Sequence, residues 1–312
     1  MNHSPSAVKG HLGAGISILI WGVTFISTKV LLEDFSPIEI LFFRFVFAYL
    51  LLLILSPRPI RPGTWKQEGV FALLGLSGVV IYFLFQNIGL QYTLASNAGV
   101  LVSVAPMLTA IVAVLMGRGN SLTRWFVFGF VLAISGIALV SFNGSFLLKL
   151  NPLGDMLLLL AALSWAFYSN LMALVDQTKL TMIQTTRKVF FYGLVLMLPI
   201  LPFADVSLGL ARFADPVLLF NMLFLGFGAS AFCFLTWNYA VSVLGPVRTS
   251  IYIYLIPIVT IAFSVAILKE KLTWISITGT VLILAGLMLS ERKNRAETAL
   301  SDVRIDSLRP KL

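Results

Sequence analysis

The chain has 312 residues, of which 59% are hydrophobic and only 11% charged, and its formal net charge is +9. An average soluble domain carries about 25% charged residues. A globule cannot hide this much apolar surface, because its core grows too slowly with chain length, so the composition excludes a water-soluble fold and specifies an integral membrane protein.

A helix needs about 20 apolar residues to cross the hydrocarbon. In chain order the apolar stretches are 12–32, 37–55, 68–90, 93–116, 123–143, 153–175, 184–203, 216–240, 244–268 and 272–290, which predicts ten transmembrane helices. Residues 1–11 read as a cytoplasmic N-terminal segment and 291–312, polar and mixed in charge, as a disordered cytoplasmic tail. The first stretch lacks the small-residue cleavage site of a signal peptide and reads as the first span. Gly89-Leu90-Gln91-Tyr92-Thr93 and Gly245-Pro246 mark tight turns after the third and eighth helices. With the N-terminus inside, the inner loops and tails hold 16 Lys and Arg and the outer loops hold 4, while Lys29 and Arg44 lie within spans. Positive loops stay in the cytoplasm, so both termini are expected there. The basic charge then reflects topology, and no nucleic-acid partner is called for.

Asn87, Pro106 and Thr109 recur as Asn238, Pro257 and Thr260, each 151 residues later. Over 74–117 and 225–268 this register aligns without gaps, with eight identities in 44 positions. An offset of 144 pairs Trp21 with Trp165 and Arg44 with Lys188, and one of 150 pairs Gly129 with Gly279 and Gly136 with Gly286. The halves, 12–143 and 153–290, hold five helices each. An odd number makes the second half enter from the opposite face, so the repeat is inverted, a plan that gives transporters two alternative openings.

Polar residues inside spans usually face the protein interior. Lys29 and Arg44 fall toward the outer ends of the first two helices, near Glu33, Asp34 and Glu39. Three roles are open to them: snorkelling or ion pairing that fixes the helix ends, a charge latch on an outer gate mirrored inside by Arg187 or Lys188, and direct contact with a substrate carboxylate. Asn87 and Asn238 fit interhelical hydrogen bonds. Pro106 and Pro257, near the midpoints of the fourth and ninth helices, each remove a backbone hydrogen bond and make either a hinge beside a cavity or a static bend.

Trp and Tyr normally collect at the membrane interfaces. Trp21, Tyr82, Trp165 and Tyr254 instead lie near the middle of the first, third, sixth and ninth helices. Burial between helices explains that depth, and so does lining a substrate cavity, to which Ser103, matching Tyr254, would add a polar contact. As repeat mates, Trp21 and Trp165 are expected to face each other across the pseudo-two-fold axis. An aromatic cavity with few fixed charges suits small amphipathic or aromatic solutes, including cations held by cation–π contact. Glu39, Asp155, Asp176 and Glu270 all lie near span ends, so the central acid used by many proton-coupled pumps is missing. Facilitated flux and exchange stay open. The single Cys233 builds neither an internal disulfide nor a zinc site, and no catalytic cluster is visible. Neither a cofactor nor a metal is expected.

The stretch Trp21-Gly22-Val23-Thr24-Phe25 with Lys29, then Pro37 and Arg44, resembles the first-helix signature of the drug/metabolite transporter superfamily. Pro257, then Lys269-Glu270-Lys271-Leu272-Thr273, Gly279 and Gly286, is similar to the closing motif of its EamA-like repeats. Over residues 12–290 the chain resembles the YddG-type exporters of aromatic and other amino acids. The resemblance implies an all-α basket of ten inner-membrane helices. The first, third, fourth, sixth, eighth and ninth would surround a central cavity, with the fifth and tenth to the side. It also implies a monomer that exports small metabolites, neutral amino acids first, by alternating access. Multidrug or quaternary-ammonium exporters and nucleotide-sugar carriers share the fold. A nucleotide-sugar carrier needs several cations in its cavity, where only Lys29 and Arg44 are candidates. One departure is visible: the first half has Arg118-Gly119-Asn120 where the second has Lys269-Glu270-Lys271, so the family's acidic residue is absent there.

Overall fold

A computed structural model describes residues 5–60, 63–118, 123–142, 152–175, 180–203, 206 and 209–289. The expected disordered tail, 291–312, lies outside the described residues, as do residues 1–4 of the N-terminal segment. Among the described residues there is no strand, and beside two short 3-10 turns there are ten long helical stretches. They are α1 Pro5–Leu31, α2 Pro37–Leu55, α3 Trp65–Tyr92, α4 Ala95–Leu115, α5 Arg124–Phe142, α6 Pro152–Met172, α7 Met182–Met197, α8 Pro216–Leu244, α9 Pro246–Leu268 and α10 Trp274–Leu289. Helices suit the bilayer because every backbone group pairs within its own segment. Seven of them have the length and apolarity to cross a membrane, and α5 and α10 are apolar over shorter lengths.

The helix starts follow from local chemistry. Ser36 with Glu39, Thr64 with Gln67 and Thr181 with Gln184 form capping boxes that satisfy the first free N–H groups of α2, α3 and α7. Two boundaries differ most from expectation. α1 begins at Pro5 rather than at residue 12, because proline's fixed φ suits a first turn. This extension is tethered where His11 Nδ1 meets the Tyr252 hydroxyl at 2.8 Å. α7 ends at Met197 instead of 203, since Pro199 and Pro202 cannot continue its hydrogen-bond ladder.

Irregularities recur in both halves. α3 widens to a π-helix over Leu76–Ile81 and α8 does so over Phe224–Phe232, at matching positions of the repeat. α4 breaks at Ser103–Val104, just before Pro106, and α9 tightens to a 3-10 helix over Ile251–Leu255, just before Pro257. Pro106 and Pro257 thus each occupy the first turn of a second helical segment, where proline is tolerated.

Packing obeys the same pseudo-symmetry. α1 lies against α8 as α6 lies against α3, and α2 against α8 as α7 against α3. The clearest sign is the α5–α10 contact. A Cβ on Gly136 would stand 2.6 Å from Gly279 O and 2.8 Å from Ile283 N. A Cβ on Gly286 would stand 2.5 Å from Gly129 O and 2.7 Å from Ala133 N. Each contact is the other with its residues exchanged for their repeat mates, as a two-fold axis between α5 and α10 requires.

Candidate functional site

Six helices enclose a central cavity. Trp21, Thr24 and Phe25 of α1 line it with Arg44 of α2 and Tyr82, Phe83 and Gln86 of α3. Val102, Trp165, Ile253 and Ile256 complete the wall from α4, α6 and α9. The cavity measures about 20 Å³, room for roughly one water. The aromatic rings pack into one another: Trp21 meets Trp165 edge-on, with centroids 5.3 Å apart and planes at 88°, and Tyr82 lies 5.0 Å from Trp165. Such geometry favours the ring quadrupoles. Phe234 and Trp237 of α8 stand behind, 6.1 and 5.0 Å from Trp21. α8 therefore backs the cavity instead of lining it, and α2 takes a lining place through Arg44.

The π-helical segments hold these rings in place. Trp21 Nε1 donates to Ala229 O at 2.8 Å, within the α8 segment, and Ser164 Oγ, beside Trp165, donates to Ser77 O at 2.8 Å, within the α3 segment. Widened turns loosen the helical ladder, and in each half the first helix of the opposite repeat uses a carbonyl there. Arg44 is buried. Its Nε donates to Ser230 Oγ at 2.5 Å, and its guanidinium carbon lies 4.1 Å from the Phe83 ring centroid. Among the described residues Arg44 Nη1 has no acceptor, and neither do Gln86 Nε2 and Trp165 Nε1.

The two ends of the bundle differ. At one end Lys29 Nζ donates to the carbonyls of Leu90 at 2.5 Å and Thr93 at 2.9 Å, holding the α3–α4 turn. Glu270 accepts from the N–H groups of Ala95 at 2.8 Å and Ser96 at 3.1 Å, capping α4, and attracts Lys29 electrostatically. Together these contacts lock α4 to α1 and to the end of α9. At the opposite end a cavity of about 210 Å³ is lined by Arg118, Asn170, Ala173, Pro246, Val247 and neighbours. The repeat register explains the contrast. Ala173 matches Lys29, Gly119 matches Glu270, and Pro246, which has no N–H, matches Ala95. All three parts of the lock are missing from the second end.

The structure brings Trp21, Tyr82, Trp165 and Arg44 to one cavity. Arg44, expected toward a helix end, reaches the centre because Ser230 and Phe83 receive it there. Ser103 and Tyr254 lie outside the lining: the Ser103 hydroxyl turns back to Val100 O at 2.5 Å, and Ile253 and Ile256 take the wall positions beside Tyr254. Lys188 forms an ion pair with Glu68 at 2.6 Å on the Arg118 side, while Arg187 donates to the carbonyls of Ser56 and Arg58. Asn87 bonds Pro37 O at 3.0 Å, and Asn238 joins Tyr168 of α6 to Thr186 of α7. Gln86, Phe83 and the ring of Phe234 escaped the sequence reading. Gln86, a polar residue deep in a span, carried the one signal that could have revealed it.

The sequence profile of the EamA-like transporter family matches residues 8–142 and 152–291, one copy per half. A protein of Archaeoglobus fulgidus described as an uncharacterized transporter is 28% identical over 91% of this chain and 98% of its own. One of Streptantibioticus cattleyicolor, described as a probable terminal-alkyne amino-acid exporter, is 24% identical over 89% of this chain and 92% of its own. A solved crystal structure shares the fold with a TM-score of 0.62 at 18% identity, covering 92% of this chain and 98% of that one.

Proposed function

Since the chain belongs to the EamA-like transporter family and is a multi-pass membrane protein, we propose that it exports neutral amino acids, aromatic ones among them, across the inner membrane. The central cavity walled by Trp21, Tyr82 and Trp165, between the two repeat halves, carries this reading. Aromatic faces bind the apolar part of such a solute, and a relative described as an amino-acid exporter agrees with the cargo class.

The transport cycle is alternating access. Both termini and the Lys- and Arg-rich loops face the cytoplasm, which puts the 210 Å³ cavity on the cytoplasmic side and the Lys29–Glu270 lock on the outer side. Cargo enters through that vestibule and reaches the central rings. The lock then opens as α3–α4 and α8–α9 move about the breaks before Pro106 and Pro257. The protein works as a monomer, with its cavity inside one chain. Among the described residues no acid lines the central cavity, so flux down the cargo's own gradient or by exchange fits better than proton antiport.

Purified protein in liposomes, offered Phe, Trp, Thr, Lys, methyl viologen or a nucleotide sugar with and without a pH gradient, tests the reading. Neutral amino acids should cross, with little effect of the gradient. Absence of amino-acid flux under every condition would sink it.

A further inference from the structure

The central cavity has an unusual polarity. The orphaned polar atoms of its lining, Arg44 Nη1, Gln86 Nε2 and Trp165 Nε1, are all donors. The residues that carry them are 1%, 1% and 3% exposed, so bulk water does not serve these atoms. Arg44 has no carboxylate within ion-pair distance among the described residues, whose ion pairs are Lys188–Glu68 and Arg212–Glu39. The repeat explains why. Lys188, the mate of Arg44, is neutralised by Glu68, and the residue matching Glu68 in the second half is Leu219. One of two equivalent cations has an internal counterion, and the other faces the cavity without one. A buried charge left uncompensated is strongly unfavourable, yet Ser230 and Phe83 hold this guanidinium firmly in place.

We propose that Arg44 is the receptor for a carboxylate on the transported solute, with Gln86 Nε2 and Trp165 Nε1 as flanking donors. The proposal rests on the transport reading above and names the group by which that site recognises cargo. A carboxylate is the acceptor-only group that such donors fit, and an ionised acceptor makes the stronger hydrogen bonds. One guanidinium balances one negative charge, which selects monocarboxylates over diphosphates, and its charge repels quaternary ammonium ions. The rings of Trp21, Tyr82 and Trp165 then take an apolar or aromatic remainder.

Binding, read by fluorescence of the cavity tryptophans, and tracer flux in liposomes are to be compared for L-phenylalanine, phenylalaninamide and 3-phenylpropionate. Wild-type protein should take the two carboxylates and bind the amide at least about tenfold more weakly. Arg44→Gln should weaken the two carboxylates by about 10- to 100-fold and leave the amide unchanged, with Arg44→Lys intermediate. An amide bound as well as phenylalanine by the wild type overturns the proposal, even if Arg44→Gln does not fold. So does an equal loss of all three ligands in a folded Arg44→Gln. Uptake of phenylpropionate without phenylalanine keeps the carboxylate receptor and rejects the amino-acid reading, whereas three inert ligands reject both.

Discussion

Glu270 accepts two backbone N–H groups of α4 and attracts Lys29, and the repeat register puts Gly119, with no carboxylate, at the matching position of the other half. Hydrogen bonds to a charged group contribute about 1.5–3 kcal/mol each. Glu270→Gln removes the charge and one acceptor, so it should shift the balance between closed and open outer ends by about 10-fold or more. In a Cys233→Ser background, Val102→Cys places a thiol on the cavity wall. Membrane-impermeant reagent should label it slowly from the Lys29 side, and several-fold faster once Glu270→Gln is added; an unchanged rate would rule out the lock. Lys29 and the deep aromatics were legible because cations and mid-span tryptophans are rare in membrane sequence. Arg44 was not. Counting from Pro37 puts it two turns into α2, and only its partners on α8 and α3 carry it to the centre.

At the level of elements, each half combines a π-helical segment with a proline-marked break. A Pro in the first turn leaves the preceding carbonyls without a helical donor, and the chain can bend there. Pro257→Ala restores that donor and straightens α9. Flux should drop several-fold in liposomes while thermal stability changes by no more than about 1 kcal/mol, and Pro106→Ala should behave alike. Loss of stability in step with flux would show a merely structural proline. The ten helices and both breaks could be read from apolar length and from proline. The π segments could not, since an i to i+5 pattern has no side-chain code. The paired glycines Gly75/Gly78 and Gly226/Gly228 fall beside or within these segments, but they predict packing alone. Gly75 does approach Gly193 N, its Cβ position 2.6 Å away, whereas Gly228 meets only Phe224 of its own helix.

Across the whole molecule, the reciprocal contact of Gly136 with Gly279 and of Gly286 with Gly129 puts the symmetry axis between α5 and α10. Adding a side chain to so tight a contact costs about 1–3 kcal/mol. Gly136→Leu and Gly286→Leu should therefore lower the melting temperature by similar amounts, and unequal losses would argue against a true two-fold contact. The duplication and its inversion were legible because they need only register and helix parity. Which face of each helix lines the cavity was not, because a bundle buries apolar and aromatic faces alike. The asymmetric lock carries one more consequence. Two identical halves would give two openings of equal energy, with an empty carrier dividing its time evenly between them. Lys29, Glu270 and the Ala95 amide have no counterparts at Ala173, Gly119 and Pro246, so the bias between openings resides in these few unmatched positions. At about 3 kcal/mol, less than one empty molecule in a hundred would face outward. Under the proposed cycle of flux down the cargo's gradient, the reforming lock would supply the return stroke of the empty carrier, with no ion needed.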